Sequence, residues 1–301
     1  MAAFIFYVTL FTLMASTSRA DAAQTSAIQD AIDAVPSNNK EVVFILVNPG
    51  IYNERIVVPA DKPFITLSGS KPNNTVIIGS DNGNIFESVT FTVLASDFVG
   101  RYLTIQNTYR PGAKAVALRV SGDRVAFFGC RILSYQDTLL NDTERHYYIN
   151  SIGYLRCHLH TLSEGDTSII AQQKESPSEE TGFTFLGCKI TEVRTAVLGR
   201  PWGPYSRVIF ALTYMSNVIL PQGWDDWGDS SKQSTVFYRE YKCYGPEANN
   251  RKRVEWSQQL TTKEAEIFLT KNMIGDKSWI RSTPKHFKKA SSVISNNTTT
   301  H

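Results

Sequence analysis

The sequence predicts an all-β chain folded as a parallel β-helix, a solenoid of short stacked strands, and three observations support this fold class. Short β-branched and apolar segments alternate with turn residues along most of the chain. Helical periodicity is nearly absent up to about residue 260. Four segments also resemble one another at a regular distance, which favours stacked coils over a sandwich or a barrel.

The first elements can be assigned from local patterns. Residues 24–35 carry apolar side chains at Ile28, Ile32 and Val35, the spacing of a short N-terminal helix, and Pro36 ends it. Short strands separated by turn residues follow this helix. They are predicted at Glu41–Val47, Arg55–Val58, Phe64–Ser68, Thr75–Ile78, Thr90–Ala95, Tyr102–Gln106 and Ala115–Val120.

The repeat places four glycine or arginine residues at equivalent positions. Gly100, Gly129, Arg156 and Gly187 are separated by 29, 27 and 31 residues. A period of this size and irregularity suits coils whose turns differ in length. The segments compared are Phe98–Ile105, Phe127–Ser134, Tyr154–Thr161 and Phe185–Thr191.

Three of the four cysteines fall at one position of this repeat. Cys130, Cys157 and Cys188 are therefore expected to stack inside the solenoid as small apolar residues. A Cys130–Cys157 disulfide is a less favoured alternative, because spacing alone does not fix connectivity. Cys243 is too far along the chain to form a disulfide by the same reasoning.

Both ends of the chain have distinct compositions. Residues 1–20 contain a short apolar run and end in Ser18-Arg19-Ala20, which predicts a cleaved secretory signal and a secreted, extracellular protein. Thr261–Glu264 forms a capping box that begins a C-terminal helix, with Ala265, Phe268, Leu269 and Met273 as its apolar stripe. Residues 21–290 form the predicted β-helix domain, and residues 291–301 are a polar tail.

Charge and sequon patterns add little about the partner. The formal net charge of +3 suits retention on an acidic polymer without requiring one. Asn73, Asn141, Asn296 and Asn297 begin N-x-Ser/Thr triplets, which are candidate glycosylation sites in a secreted chain.

Several classes of function lack their sequence signals. The chain has no GxSxG elbow, no phosphate-binding GxxxxGK[ST] loop and no GxGxxG fingerprint. His158 and His160 can share one strand face, but the sequence offers no third ligand, so no metal site is expected. The basic clusters lack interleaved aromatic residues, so nucleic-acid binding is not expected. No segment after the predicted signal is long and apolar enough to span a membrane, so no membrane partner is expected.

Carboxylate chemistry with arginine and aromatic support remains. Gln136 and Asp137 follow the apolar strand Val125–Leu133, where an amide can stabilise an oxyanion and a carboxyl can transfer a proton. Arg200 and Trp202 offer a bidentate clamp and a flat face, which suit an acidic sugar. The alternatives are a turn cap for the Gln-Asp pair, a surface salt bridge for Arg200 and core packing for Trp202.

Six motifs taken together resemble plant pectin methylesterases over nearly the whole chain after residue 24. The resemblance implies a right-handed parallel β-helix in the cell wall, which hydrolyses galacturonate methyl esters of pectin (homogalacturonan) without a cofactor. It assigns Asp137 as the acid that protonates methanol, Gln136 to the oxyanion, and Arg200 and Trp202 to the sugar. It also suggests a monomer, with a proteinaceous inhibitor as a candidate second partner. The motifs are Gly50–Glu54, Ala115–Arg119, Tyr135–Leu139, Ile170–Gln172, Leu198–Trp202 and Gly223–Trp227.

The sequence departs from the family at two points. The nucleophilic aspartate of the family lies in an Asp-Phe-Ile-Phe-Gly motif, which is absent here between Ser151 and Ile152. Asp142, Glu144 and Asp166 are nearby acids, although none has a comparable context. Lys114 stands where the family has glutamine, and its ammonium can contact the oxyanion or point to solvent.

Three interpretations therefore stay open. The chain is a pectinesterase-type hydrolase, a non-catalytic pectin-binding protein on the same scaffold, or a truncated gene model of an active enzyme. Other β-helix enzymes, such as polygalacturonase or pectate lyase, are weaker options. For these, Asp225 and Asp226 offer an acidic pair, but the basic and histidine motifs expected beside such a pair are missing.

Overall fold

The strands form a parallel β-helix, which confirms the predicted fold class. The computed structural model describes residues 5–8, 27–81, 88–109, 115–134, 138–141, 145–149, 157–161, 167–179, 181–192 and 195–269. In these residues the chain visits three sheets in turn, and each circuit stacks on the previous one through parallel pairing.

The three sheets contain ten, seven and six strands among the described residues. The ten-stranded sheet contains β1 Ile5–Val8, β2 Val43–Val47, β5 Ile65–Ser68, β8 Val99–Arg101, β11 Val125–Phe128, β14 Arg145–Ile149, β17 Gly182–Leu186, β20 Arg207–Ala211, β22 Phe237–Tyr241 and β23 Gln258–Gln259. The seven-stranded sheet contains β3 Gly50–Asn53, β6 Thr75–Gly79, β9 Thr104–Asn107, β12 Arg131–Ser134, β15 His158–Thr161, β18 Lys189–Glu192 and β21 Tyr214–Met215. The six-stranded sheet contains β4 Ile56–Val58, β7 Phe91–Val93, β10 Leu118–Val120, β13 Leu139–Asn141, β16 Thr167–Gln172 and β19 Ala196–Pro201.

Aromatic rings form a continuous column inside the solenoid. Successive rings lie 4.3 to 5.9 Å apart between centroids, and all are buried. Burial of each such side chain contributes about 1.5–3 kcal/mol, so this column is a major part of the core. Its members are Phe91, Phe98, Phe127, Tyr148, Phe185, Phe210, Trp224 and Tyr238.

A two-residue corner joins the ten-stranded to the seven-stranded sheet in most coils. The first corner residue is left-handed and the second points inward, as in Gly129 (φ 59°) followed by buried Cys130. Cys130, Cys157 and Cys188 are all buried free thiols, which confirms the predicted stack. Burial raises the pKa of the Cys130 and Cys188 thiols. Cys243 is also a free thiol and occupies the same corner position after Lys242 (φ 44°), where burial raises its pKa to about 12.

The repeat assignment of Gly100 was also wrong. Gly100 pairs with Phe127 inside the ten-stranded sheet, and a Cβ there would lie 2.5 Å from the Phe127 ring. The residue at the position of Gly129 is Tyr102, with φ 54°. Because this corner accepts a non-glycine residue, glycine is not a reliable marker of the repeat. Arg156, the third assigned position, lies outside the described residues.

The N-terminal helix α1, Ala27–Asp33, is held by the motif Gly50–Glu54. The Glu54 carboxylate accepts hydrogen bonds from the backbone N–H groups of Ile28 (3.0 Å) and Gln29 (3.2 Å), which satisfies the first turn of the helix. Ile28 and Ile32 are fully buried, as their spacing predicted. The motif therefore has a structural role in closing the end of the solenoid.

The C-terminal helix α2, Thr262–Leu269, has the predicted capping box. The Glu264 carboxylate accepts from the Thr261 N–H at 2.8 Å, and the Glu264 N–H donates to the Thr261 hydroxyl at 3.3 Å. Ala265 and Phe268 are buried, whereas Met273 and residues 291–301 lie outside the described residues. Within the part of the chain described, no helix has the length and apolarity needed to cross a bilayer.

Strand β1 lies within residues 1–20, the predicted secretory signal. It pairs in parallel with β2, from Ile5 opposite Phe44 to Val8 opposite Val47. The cleaved signal and the domain limits stay predictions. If the signal is removed, β2 becomes the first strand of this sheet in the mature protein.

Candidate functional site

The six-stranded sheet brings most of the predicted site strands together. Leu118, Leu139, Ile170 and Gly199 pair in sequence across β10, β13, β16 and β19. Arg200 is in β19, and Trp202 follows this strand directly. Gln136 and Asp137 precede β13, and Lys114 precedes β10, but all three lie outside the described residues.

Trp227 joins the two predicted sugar-binding residues in one stacked group. The guanidinium carbon of Arg200 lies 4.5 Å from the centroid of the Trp227 ring. The rings of Trp202 and Trp227 are 6.0 Å apart and inclined by 28°. Trp227 is 51% exposed, which is high for such a large aromatic side chain. We call Arg200, Trp202 and Trp227 the stacked triad.

Trp202 forms the base of this triad. It packs against Val89, Val116 and Leu140, which form a small apolar cluster on the sheet. Its indole N–H has no hydrogen-bond partner within the described residues. This nitrogen is itself buried, so the described residues leave one buried donor unsatisfied at the base of the triad. Its half-buried ring confirms packing for Trp202 without excluding contact with a ligand.

Trp227 lies in a short loop that is held by hydrogen bonds to the carboxylates of the two preceding residues. The Asp225 carboxylate accepts from the Trp227 N–H at 2.5 Å, and the Asp226 carboxylate accepts from the Gly228 N–H at 2.9 Å. Gln233 donates to the other Asp226 oxygen at 2.7 Å. These contacts are typical of Asx turns, so both acids have a structural role and the acidic-pair interpretation loses its support.

The opposite side of the loop is fixed to β19. The Lys232 ammonium donates to the carbonyl oxygens of Pro201 (3.3 Å) and Trp202 (3.4 Å). It also lies 3.7 Å from the Asp229 carboxylate. The loop therefore connects with the strand that carries Arg200, which fixes the spacing of the triad.

Gln172 has a structural role in this sheet. Its buried amide donates to the Gln173 carbonyl at 2.8 Å and accepts from the Arg207 N–H at 2.7 Å. The Trp202 N–H also donates to the Gln172 carbonyl, at 3.1 Å. Gln172 therefore positions Trp202 through its backbone carbonyl, and its side-chain amide holds the backbone at Gln173 and Arg207.

The coil after Asp137 differs in length from its neighbours. Eight residues connect β14 to β15, whereas two residues connect β11 to β12 and β17 to β18. β13 pairs directly with β16, from Leu139 opposite Ile170 to Asn141 opposite Gln172. In the six-stranded sheet, as far as it is described, no strand therefore lies between β13, which follows Gln136-Asp137, and β16. Asp142, Glu144 and Asp166 lie outside the described residues.

The two histidines are close together but lie on a different sheet. His158 Nε2 and His160 Nδ1 are 2.5 and 2.6 Å from the Thr191 hydroxyl oxygen. Among the described residues, no group of three His, Cys, Asp or Glu side chains is arranged to hold a metal ion.

Sequence comparison identifies the family. The Pectinesterase family model matches residues 15–154 and 156–277. The chain belongs to the pectinesterase family. It is 54% identical to putative pectinesterase 11 of Arabidopsis thaliana over 281 residues, which cover 88% of this chain and 80% of the relative. The interruption at residue 155 falls in the long connection between β14 and β15.

Solved structures agree with this assignment. Carrot pectin methylesterase superimposes with a TM-score of 0.67 at 28% identity, covering 80% of this chain and 86% of the carrot enzyme. A pectin methylesterase from Aspergillus niger gives a TM-score of 0.69 at 25% identity, covering 84% and 92%. Pectinesterases are carboxylic ester hydrolases, so family and fold support pectin methylesterase function for this chain.

Trp227 is the functional candidate that sequence reasoning missed. The motif Gly223–Trp227 was recognised, but no role was assigned to its last residue. A tryptophan between acids and glycine is a signal for an exposed aromatic residue in a turn. Its contact with Arg200, 27 residues earlier, could not be inferred from local spacing.

Proposed function

We propose that the chain hydrolyses methyl esters of galacturonate in pectin, with the sugar held by the stacked triad. The observation that carries this proposal is the Arg200–Trp227 contact, because Arg200 lies in the six-stranded sheet, which also contains β13, the strand that follows Gln136 and Asp137. Stacking uses the face of the guanidinium, whereas hydrogen bonds to a uronate carboxylate use its edge. The two indole rings provide flat surfaces for sugar rings.

The proposed reaction requires two carboxyl groups in different protonation states. A carboxylate attacks the ester carbonyl carbon, the bond to the methoxyl oxygen breaks, and Asp137 gives that oxygen its proton, so methanol leaves. Asp137 then takes a proton from water, which cleaves the acyl-enzyme and restores both carboxyl groups. Gln136 and Lys114 stabilise the oxyanion. Asp142, Glu144 and Asp166 are the nearby acids to test as nucleophiles.

A second candidate is pectin binding without catalysis. The direct pairing of β13 with β16 favours it, because a strand with the family's nucleophile would have to lie near the Gln-Asp pair. The stacked triad would still bind galacturonate, since the contacts of Trp227 with Arg200 and with Trp202 are made by residues after β16. The third alternative, a truncated gene model, predicts that the transcript encodes extra residues between Ser151 and Ile152. A transcript that reads as printed excludes it.

We also propose a location and partners for the chain. The family and the predicted signal support a cell-wall protein whose partner is pectin. A proteinaceous inhibitor is a candidate second partner, and the chain is proposed to act as a monomer.

Binding and hydrolysis are tested together with Arg200→Ala. A hydrogen bond to a charged group contributes about 1.5–3 kcal/mol, so affinity for low-ester pectin is expected to fall by about 10- to 100-fold. Arg251→Ala, which removes an exposed arginine outside the triad, is the control. Binding that depends on Arg200 without methanol release from methylated pectin selects the second candidate. Absence of any pectin binding overturns both.

A further inference from the structure

The outer face of the seven-stranded sheet carries a second line of cationic and aromatic side chains. Arg131 pairs with His158, His158 with Lys189, and Lys189 with Tyr214, so they occupy one row across four coils. Tyr214 is bridged to Tyr244 in the next coil. We call these five residues the outer strip. They are on a different sheet from the stacked triad.

The C-terminal half of the outer strip is aromatic. The Lys189 ammonium lies 5.6 Å from the centroid of the Tyr214 ring. The rings of Tyr214 and Tyr244 are 5.6 Å apart and inclined by 66°. Tyr244 is 39% exposed, and Lys189 is exposed. The strip therefore places a cation beside two accessible aromatic rings.

The cations of the strip have no acidic partner among the described residues. In the part of the chain that the structure describes, neither Arg131 nor Lys189 forms a salt bridge. Arg131 donates to the Asn73 side-chain oxygen at 2.8 Å, but its buried Nε has no partner among the described residues. An arginine and a lysine without acidic partners leave a positive potential on this face.

The two histidines respond to this environment. Burial, followed by the nearby His160, Arg131 and Lys189, lowers the pKa of His158 to about 4. Burial also lowers the pKa of His160. Both imidazoles are therefore neutral at neutral pH, and the Thr191 hydroxyl lies between them. The fixed positive charges of the strip at neutral pH are those of Arg131 and Lys189.

The spacing suits a polymer that lies along the solenoid. Adjacent strands are about 4.8 Å apart, so the two cations, two strands apart, are separated by about 10 Å. A chain of acidic sugars offers carboxylates at regular intervals to these cations and apolar ring faces to the tyrosines. β12, which carries Arg131, ends at Ser134, shortly before Gln136-Asp137 in the sequence.

We propose that the outer strip is a second binding site for de-esterified galacturonan, the acidic product of the proposed reaction. The choice of this polymer rests on the proposed function, whereas the site itself rests on two cations without a salt bridge among the described residues, beside the half-buried Tyr214 and the exposed Tyr244. The strip would retain the protein on acidic stretches of the polymer while the triad contacts another segment. Two sites on one polymer raise the overall affinity through effective concentration.

The test is polygalacturonate binding by the Arg131→Gln/Lys189→Gln double variant. Removing both solvent-facing charges together should weaken binding about five-fold at low salt. Lys40→Gln/Lys263→Gln removes the same charge from exposed lysines outside the strip, and its affinity should equal wild type. Thermal midpoints of both variants verify that they are folded.

Further arms separate the possible results. Tyr214→Ala should weaken binding to polygalacturonate but not to polyglutamate, a polyanion without sugar rings, because the tyrosine ring stacks on the sugar ring. If the Arg131/Lys189 variant and the Lys40/Lys263 control bind polygalacturonate with equal affinity, the proposed binding site is refuted. If Tyr214→Ala weakens binding to both polymers equally, the proposed preference of the outer strip for a sugar polymer is refuted. The proposal for the outer strip and the proposal for the stacked triad can be refuted separately. Arg200→Ala alters only the triad, and its effect on methanol release does not depend on the outer strip.

Discussion

The buried ion pair between Glu240 and Arg253 is expected to be essential for the stability of the C-terminal coils. The Arg253 Nε lies 2.8 Å from one Glu240 oxygen and its Nη2 lies 3.2 Å from the other. The two side chains are only 3% and 1% exposed. Arg253 also donates to the carbonyls of Pro221 (3.0 Å) and Glu247 (2.7 Å).

Arg253→Met keeps the apolar stem and removes the charge. Glu240 then keeps the Trp224 indole N–H, at 3.4 Å, as a weak hydrogen-bond donor. Breaking one side of a buried ion pair costs about 3–5 kcal/mol, because the other charge stays buried without compensation. We expect the free energy of unfolding, measured in urea by tryptophan fluorescence, to fall by this amount.

The double variant Glu240→Gln/Arg253→Met gives the control. Replacing both charges removes the uncompensated carboxylate, so most of the stability should return. A loss below about 1 kcal/mol for Arg253→Met, or an equally large loss for the double variant, would refute the reasoning. Because Trp224 lies against Gly199, beside Arg200, the single variant should also weaken pectin binding.

Three other features of the coils predict measurable changes in stability. The pKa of His158 is about 4 in the folded state, below its ordinary value of 6.5, so the unfolded state binds this proton more readily. Stability should therefore fall as the pH drops from 6.5 to about 4. In His158→Gln the melting temperature should depend less steeply on pH over this range. The same pH dependence in the variant and in wild type would contradict this. Gly100→Ala should lower the free energy of unfolding in urea by about 1–3 kcal/mol, because the added Cβ would meet the Phe127 ring. Gly228→Ala, in open space at φ +73°, should cost only about 1–2 kcal/mol, from backbone strain alone. A smaller loss at Gly100 than at Gly228 would be inconsistent with the packing. Deleting residues 151–156 leaves two residues between β14 and β15. The shorter connection has a lower entropic cost of closure, so the free energy of unfolding should rise by about 1 kcal/mol. A decrease in the urea midpoint would show that these residues contribute to the fold.

Local patterns were sufficient for the fold class and for much of the core. The spacing of Ile28 and Ile32 identified α1, and the capping box at Thr261 identified α2. The strands predicted up to Val120 were found in place, although several predicted ends differ by one to three residues, as for Ala115–Val120 against Leu118–Val120. The single strand predicted at Val125–Leu133 was wrong, because the chain turns at Gly129 and Cys130 and forms β11 and β12 in different sheets. These features depend on neighbours in the sequence, which is why periodicity revealed them.

Contacts between coils could not be predicted. The pairing of Gly100 with Phe127 and the place of Cys243 depend on the length of each turn, which the repeat alone does not fix. The capping of α1 by Glu54 joins residues 26 positions apart. The stacking of Trp227 on Arg200 depends on a loop held by side-chain hydrogen bonds. Arg200 and Trp202 were predicted from the sequence, and their geometry came from the structure.

Methanol release from highly methylated pectin by the purified chain tests the proposed hydrolysis most directly. The assay compares wild type with Asp137→Ala, and Asp61→Ala, which removes an exposed carboxylate outside the site, serves as the control. The account predicts release by wild type, loss of release in Asp137→Ala, and retained release in Asp61→Ala. No methanol from a folded wild-type chain that still binds pectin would contradict hydrolysis and leave the non-catalytic pectin-binding function.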